Sequence, residues 1–264
     1  MNRVGFIGAG NMAYAMAGAL YRSNTDVPIG IYDIDNSRVD LFKSSFSSTN
    51  SYNSIKELVE NVDIIVLAVK PQIIDKIVGE LIDCNRVVIS IAAGIKLDYL
   101  TRILPKAKVV RVMPNTPALV GAMAAGVSFS ASVTNNDKDM VLEFLNLSGM
   151  ALEVNENQMD AVTGLSGSGP AFVARIMDYF VQAGISQGLE PSVAKSLTVD
   201  TFLGTAKLVK EKDMDIENLI KMVSSPGGTT IAGRGVLEAS PIANIIKDTV
   251  NATVKRSIEL GDEC

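Results

Sequence analysis

Histidine and tryptophan are both absent from this 264-residue chain. Without an imidazole it can build neither a Ser-His-Asp nor a Cys-His nucleophile pair, and no His-ligated zinc, so acid/base work falls to hydroxyls, carboxylates, amines or water. Cysteine is scarce as well, with only Cys84 and Cys264, far apart in sequence. That usage offers no disulfide framework and no thiolate cluster at metal-ligand spacing; it suits a reducing cytoplasm, and no metal is expected. Positive charge is short too: 24 Lys and Arg stand against 29 Asp and Glu, a net charge of -5 that repels a polyphosphate backbone and argues against a nucleic-acid partner. No apolar run approaches the ~18 residues of a membrane span. The Ala-rich stretch from Arg3 to Leu20 resembles a signal peptide until Gly8 and Gly10, which interrupt the apolar core such a peptide needs. A cytoplasmic protein with no membrane partner is expected.

What remains is a globular composition, 47% hydrophobic and 20% charged, long enough for one large or two modest domains. Through the first part, short apolar runs alternate with helical patterns, as in a parallel sheet joined by crossover helices. Strands are expected at residues 3–7, 29–32, 63–69, 86–91, 109–113, 126–130 and 151–154, with a helix starting on the Ser54–Glu57 capping spacing and another over 136–147. Beyond Asp160 the β-type runs stop. Helices are expected at 171–187, 192–212, 216–224 and 242–260, broken at Gly188, Pro191, Pro226-Gly227-Gly228 and Pro241. The fold class is α/β: a Rossmann-type, doubly wound, mostly parallel sheet in residues 1–161, then an all-α C-terminal domain in 162–264, with the boundary near Val162. Apolar residues of the helical part, among them Phe172, Phe180, Leu197 and Leu203, cover more than one helix face, which serves either a small bundle core or a subunit interface.

The first strand runs directly into Gly8-Ala9-Gly10-Asn11-Met12-Ala13 and then a helix-forming stretch, the order a dinucleotide fingerprint requires. Gly8 permits the sharp turn, Gly10 lets backbone approach a pyrophosphate, and Ala13 takes the helix-packing position of the G-x-G-x-x-A variant. The helix start then offers free N–H groups and about half a positive charge. Asp33 follows the second strand at close to the ~20-residue spacing where an acidic side chain accepts from a ribose hydroxyl, an arrangement that favours NADH. Arg38 and Lys43 nearby could tolerate a 2'-phosphate, and the alternative is that Asp33, Asp35 or Asn36 only caps the next helix. Three more clusters fall at strand C-termini: Ala68-Val69-Lys70-Pro71, Ala92-Ala93-Gly94 and Met113-Pro114-Asn115-Thr116-Pro117. Their shared sheet edge argues for a cofactor crevice, although each alone reads as turn chemistry. Two later segments, 164–171 and 224–231, place glycines and hydroxyls before a helix, either as anion-binding turns or as plain interhelical turns.

Gly8-Ala9-Gly10-Asn11-Met12-Ala13, Val69-Lys70-Pro71, Ala92-Ala93-Gly94, Met113-Pro114-Asn115-Thr116-Pro117, Gly167-Ser168-Gly169-Pro170-Ala171 and Ser225-Pro226-Gly227-Gly228-Thr229-Thr230-Ile231 occur in the order seen in pyrroline-5-carboxylate reductases, which the chain resembles over nearly its whole length. The resemblance implies NADPH- or NADH-dependent reduction of 1-pyrroline-5-carboxylate to L-proline. It implies an intertwined helical homodimer, often a pentamer of dimers, with each site completed by the partner's helices. Nucleotide contacts carried over by it fall on Gly8, Gly10, Asn11, Met12, Asn53, Ala68, Val69, Lys70, Ala92 and Ala93; Asp33, Pro71 and Asn115 join them as candidates at the same sheet edge. Its substrate loop falls on Ser225, Gly227, Gly228, Thr229 and Thr230, whose hydroxyl would face the ring nitrogen. Asp33 departs from the commoner NADPH-type pattern of the family.

A cyclic imine is already electrophilic, so its reduction suits a chain without histidine. Alignment supplies on the order of 7–11 kcal/mol, against about 10²–10⁴-fold from positioned acid/base catalysis. Lys70 is expected to face the nucleotide or solvent, because an ammonium beside the reacting ring would disfavour an iminium. Two other readings are a β-hydroxyacid dehydrogenase, whose catalytic lysine would have to be Lys195 or Lys207, and a non-catalytic nucleotide sensor on the same fold.

Overall fold

The computed structural model describes residues 3–23 and 27–262. One sheet of eight strands organises the first part, in the order β3-β2-β1-β4-β5-β6-β7-β8. The strands are β1 (Val4–Ile7), β2 (Ile29–Tyr32), β3 (Thr49–Ser51), β4 (Ile64–Leu67), β5 (Val87–Ser90), β6 (Lys108–Met113), β7 (Met123–Phe129) and β8 (Gly149–Glu153). All pairings are parallel except β6 with β7. Each anticipated strand is present, and β3 is an addition. Its Thr49-Asn50-Ser51 carries no apolar residue and sits at the open edge beside β2, so neither alternation nor an apolar run marked it.

Crossover helices α1 (Asn11–Arg22), α2 (Asn36–Ser45), α3 (Ile55–Asn61), the short α4 (Ile74–Ile77), α5 (Leu97–Ile103) and α6 (Asn135–Asn146) cover both faces. The pleat therefore buries side chains on both sides. Val4 and Phe6 of β1 and Ile64 and Val66 of β4 pack into one cluster with Met16, Phe42 and Phe144. Ile7, Ile65 and Leu67 point the other way, to Leu58, Leu81 and Leu100.

Helix starts follow local chemistry. Ser54 accepts from the Glu57 N–H at 3.1 Å, the expected cap, and Asp35 caps α2 by accepting from the Ser37 N–H at 2.9 Å. At α6, Thr134 and Asp137 form a reciprocal capping box, and Lys108 pairs with Asp137 at 2.7 Å. Burial pushes the Asp137 carboxyl up; the bonds from Lys108 and Thr134 outweigh this and hold it below the usual carboxylate range. A group with a depressed folded pKa contributes stability above its unfolded pKa, near 4, and loses it as pH falls through the folded value. Thr134→Ala is expected to cost about 0.5–2 kcal/mol in urea denaturation at pH 7, and Asp137→Asn should flatten the fall in stability below about pH 4. Parallel acid limbs for Asp137→Asn and the unmodified chain would show that this box carries no pH linkage.

Two compact units result, residues 1–170 with 250–264, and residues 171–249. The first unit extends past the expected boundary near Val162 and takes back the end of the chain. The reasons are local contacts: Asn115 donates to the Ser166 carbonyl at 3.1 Å, Ser257 donates to Asp160 at 2.6 Å, and a Cβ on Gly164 would lie 2.7 Å from Val254. Residues 163–167 form one π-helical turn between α7 (Met159–Val162) and α8 (Gly169–Ser186). The second unit holds most of α8, then α9 (Pro191–Glu211), α10 (Ile216–Met222), α11 (Thr229–Ala239) and the start of α12 (Ile242–Asp262). Gly188, at φ +91°, ends α8, and Pro191 opens α9 from its first position. Within this unit only Ala194 and Leu219 are buried, while Phe180 is 55% and Leu203 62% exposed. No described helix is long and apolar enough to cross a membrane.

Candidate active site

β1 lies between β2 and β4, so the chain leaves the sheet in opposite directions on its two sides and a crevice opens at the strand C-termini. Gly8 makes the turn there at φ +98°, its N–H donating to the Tyr32 carbonyl at 2.8 Å. A Cβ at Gly8 would sit 2.6 Å from the Ala68 carbonyl oxygen, at the end of the neighbouring strand, so only glycine fits. Gly10 then occupies the N-cap of α1 without any side-chain cap, and the first turn of the helix contains no acidic residue. Its leading N–H groups are left for an anion. Together Gly8, Gly10, Asp33, Ala68, Val69 and Lys70 line a cleft of about 250 Å³, joined by Tyr32, Ile34, Ile73 and Ile77. Sequence reasoning missed these last four; Tyr32, which ends β2 at the switch point, had its strand-end position as a signal, whereas Ile34 on the following turn and the helical Ile73 and Ile77 had none. Ile34 is 90% exposed, an apolar side chain placed for a flat ring to cover.

The helix-capping role that Asp33 might have held belongs to Asp35. Asp33 instead accepts from the Ala9 N–H at 2.6 Å and from the Asp35 N–H at 2.9 Å, which fixes its carboxylate against the glycine turn. Each oxygen keeps a lone pair for a ribose hydroxyl. Lys70 is exposed at the rim, in keeping with a nucleotide- or solvent-facing role.

In the second unit, residues 225–228 form a turn closed by the Gly228 N–H donating to the Ser225 carbonyl at 3.0 Å. Gly227 takes φ +72°, and a Cβ on Gly228 would lie 2.7 Å from the Ser225 hydroxyl. α11 starts at once with Thr229 and Thr230, both exposed, again with no capping side chain and no acidic residue in its first turn. Ser224 beneath it donates to the Ile220 carbonyl at 2.6 Å and accepts from Arg234 at 3.4 Å. The other glycine segment behaves differently. Residues 163–167 are wound into the π-helical turn, which the Ser168 N–H closes by donating to the Thr163 carbonyl at 2.9 Å, so the segment forms no open anion-binding turn.

Residues 156–260 match the family described as pyrroline-5-carboxylate reductase dimerisation, and residues 3–94 match one described as NADP oxidoreductase, coenzyme F420-dependent. The chain is 38% identical over 265 residues to a pyrroline-5-carboxylate reductase of Arabidopsis thaliana, covering 98% of this chain and 95% of the relative. To that of Synechocystis it is 37% identical over 263 residues, covering 98% of each. The chain belongs to the pyrroline-5-carboxylate reductase family. A solved pyrroline-5-carboxylate reductase structure from Coxiella burnetii superposes with a TM-score of 0.93 at 31% identity, covering 98% of both chains. One from Plasmodium falciparum, with NADP bound, gives 0.85 at 30% identity, again covering 98% of both.

The positions that likeness to this reductase family marks are not all gathered into the cleft. Asn11 opens α1 and is exposed, Met12 packs half-buried against the core, and Pro71 opens the short turn after Lys70. Asn53 is exposed beyond β3, its N–H held by Glu57 at 2.9 Å. Beyond β5, Ala92 is buried and Ala93 exposed. Asn115 is buried, donating to the Ser166 carbonyl and accepting from the Ala124 N–H at 2.9 Å, so its amide joins β7 and the π-helical turn to the end of β6. Lys195 and Lys207 are exposed on α9, Lys207 facing Glu211 at 3.6 Å.

Proposed function

We infer that this chain reduces 1-pyrroline-5-carboxylate to L-proline, the last step of proline synthesis, with NADPH or NADH as the reductant. The observation that carries the reading is that a reductase-family sequence, matched end to end, has a Gly8–Gly10 cradle a Cβ would fill and an uncapped, acid-free α1 start. That cradle fits a pyrophosphate: the N–H groups of Asn11 and Met12 would hold it, Asp33 would take the adenosine ribose, and Ala92, Ala93 and Lys70 would extend the contact. When bound, the reduced nicotinamide supplies a hydride. The chain's own task is to orient the imine. Backbone N–H groups of Gly227 and Thr229 hold the substrate carboxylate, the Gly228 N–H being spent on the Ser225 carbonyl, and the Thr230 hydroxyl orients the ring nitrogen and relays its proton through water. A free imidazole is not needed for that chemistry.

The exposed apolar faces of α8 and α9 support a homodimer, with a pentamer of dimers as the further assembly the family likeness suggests. In this reading residues 1–161 hold the dinucleotide and 162–264 carry the substrate loop and the dimer contacts. Buried, unpaired Cys84, whose thiol burial pushes up, suits the cytoplasm.

Purified protein should oxidise NADH or NADPH when given 1-pyrroline-5-carboxylate and not when given 3-oxoacids. Folded protein without turnover of the imine would overturn the reading. Asp33 sets the cofactor balance. A 2'-phosphate beside its carboxylate is repelled, so Asp33→Ser should move the NADPH:NADH ratio of kcat/KM toward NADPH by roughly tenfold, about 1.4 kcal/mol. An unmoved ratio would reduce Asp33 to a brace of the glycine turn.

A further inference from the structure

The segment that carries Ala92 and Ala93 is gripped from two sides by residues outside the cleft. On one side Glu156 accepts from the Leu97 N–H at 2.9 Å and from Arg111 at 2.6 Å, so a buried arginine on β6 fixes the carboxylate that caps α5. On the other side lies the last turn of α12. Gly94 is buried at φ +80°, and a Cβ there would lie 3.3 Å from Leu260. The fit is reciprocal: a Cβ on Gly261 would lie 2.9 Å from the Gly94 carbonyl oxygen and 3.1 Å from the Lys96 side chain. Lys96 in turn pairs with Asp262 at 2.6 Å. Glycine is disfavoured inside a helix by about 1 kcal/mol, and what answers that cost in this turn is the close approach of two backbones. Farther down the same helix, the buried Ser257 donates to Asp160 and anchors the turn above it.

We propose that the last turn of α12 is a clasp that positions the Ala92–Ala93 segment for the dinucleotide, with Gly261 as the positioning residue and the Lys96–Asp262 and Arg111–Glu156 pairs holding the segment between them. The clasp rests on the reading of Ala92 and Ala93 as dinucleotide contacts. Gly261 touches neither substrate nor cofactor; it acts by letting α12 close onto Gly94. A side chain there pushes the helix end outward and releases the loop, while the substrate turn at 225–230 is left alone.

The test uses the full-length protein with Gly261→Val and, as a second variant without any clash, a chain ending at Leu260. NADH binding is titrated directly by its own fluorescence, and KM is measured for the imine and for the reductant. Both variants should weaken NADH binding by roughly threefold to thirtyfold, the range for a coupled residue outside a site, with the KM for the imine unchanged and a cooperative melt retained. Unchanged NADH binding in folded Gly261→Val, or in the shortened chain if the valine variant does not fold, overturns the clasp. Equal weakening for reductant and imine also overturns it, since that marks general loosening. If the unmodified chain itself binds neither NADH nor NADPH, the functional reading fails instead; if it binds NADPH alone, the same titrations are made with NADPH.

Discussion

Gly8→Ala should lose about 2–4 kcal/mol of stability and bind reduced nicotinamide dinucleotide on the order of a hundredfold more weakly. Two costs add. An alanine at φ +98° is strained by about 1–2 kcal/mol, and its methyl would stand 2.6 Å from the Ala68 carbonyl oxygen. That oxygen belongs to backbone at the end of a central strand, where no rotamer change relieves the contact. The turn has to open, which stretches the Gly8 N–H bond to Tyr32 and draws the Ala9 N–H off Asp33. Gly10→Ala separates the two effects. Gly10 sits at φ -71°, and its Cβ would meet only the Ala68 oxygen, at 3.9 Å. Stability should change by less than about 1 kcal/mol while binding still falls, because the methyl occupies the approach of the pyrophosphate. Urea denaturation and fluorescence titration of both variants check this. Gly10→Ala binding as tightly as the unmodified chain would remove the start of α1 from the site.

The sheet was legible because its strands are buried on both faces and so read as apolar runs; Ile64-Ile65-Val66-Leu67 could scarcely be anything else. β3 was not, because Thr49-Asn50-Ser51 joins the edge through main-chain bonds that any sequence can make. The unit boundary escaped for a different reason. Nothing local in residues 163–168 announces a π-helical turn, and nothing in α12 announces that its second half returns to the sheet; both depend on contacts such as Gly164 with Val254, made between residues remote in sequence. For the helical part, the apolar periodicity stated that several faces would be covered without stating by what, and in the single chain those faces are open.

Within the site, glycines at forced conformations were the readable signal. Gly8 and Gly227 both take positive φ, at +98° and +72°, and each precedes a helix start stripped of acidic side chains. Asn115 shows the limit. A polar side chain at a strand C-terminus looks the same in sequence whether it faces a ligand or the protein, and here its amide is spent on Ser166 and Ala124. Glu156 and Arg111 carried no motif at all, since a half-buried ion pair between distant elements leaves no spacing to read.

Thr230→Ala should lower kcat/KM for the imine by about 1.5–3 kcal/mol, roughly tenfold to 150-fold, with the melting temperature unchanged. The stability half follows from exposure. Thr230 is the second residue of α11, its side chain open to solvent, with no cap bond on the helix start to lose. Alanine is at least as good a helix former there. The kinetic half follows from the chemistry left to a chain lacking histidine. If the substrate carboxylate is held by the main-chain N–H groups of Gly227 and Thr229, the hydroxyl one position on is what addresses the ring nitrogen, whose charge changes during reduction. A hydrogen bond to a charged group is worth about twice a neutral one, which sets the range. Thr230→Ser keeps the hydroxyl and should retain activity within a few-fold. A loss confined to KM would mean that the hydroxyl binds imine and transition state equally and does no more than hold the substrate; an undiminished rate in Thr230→Ala would remove it from the reaction.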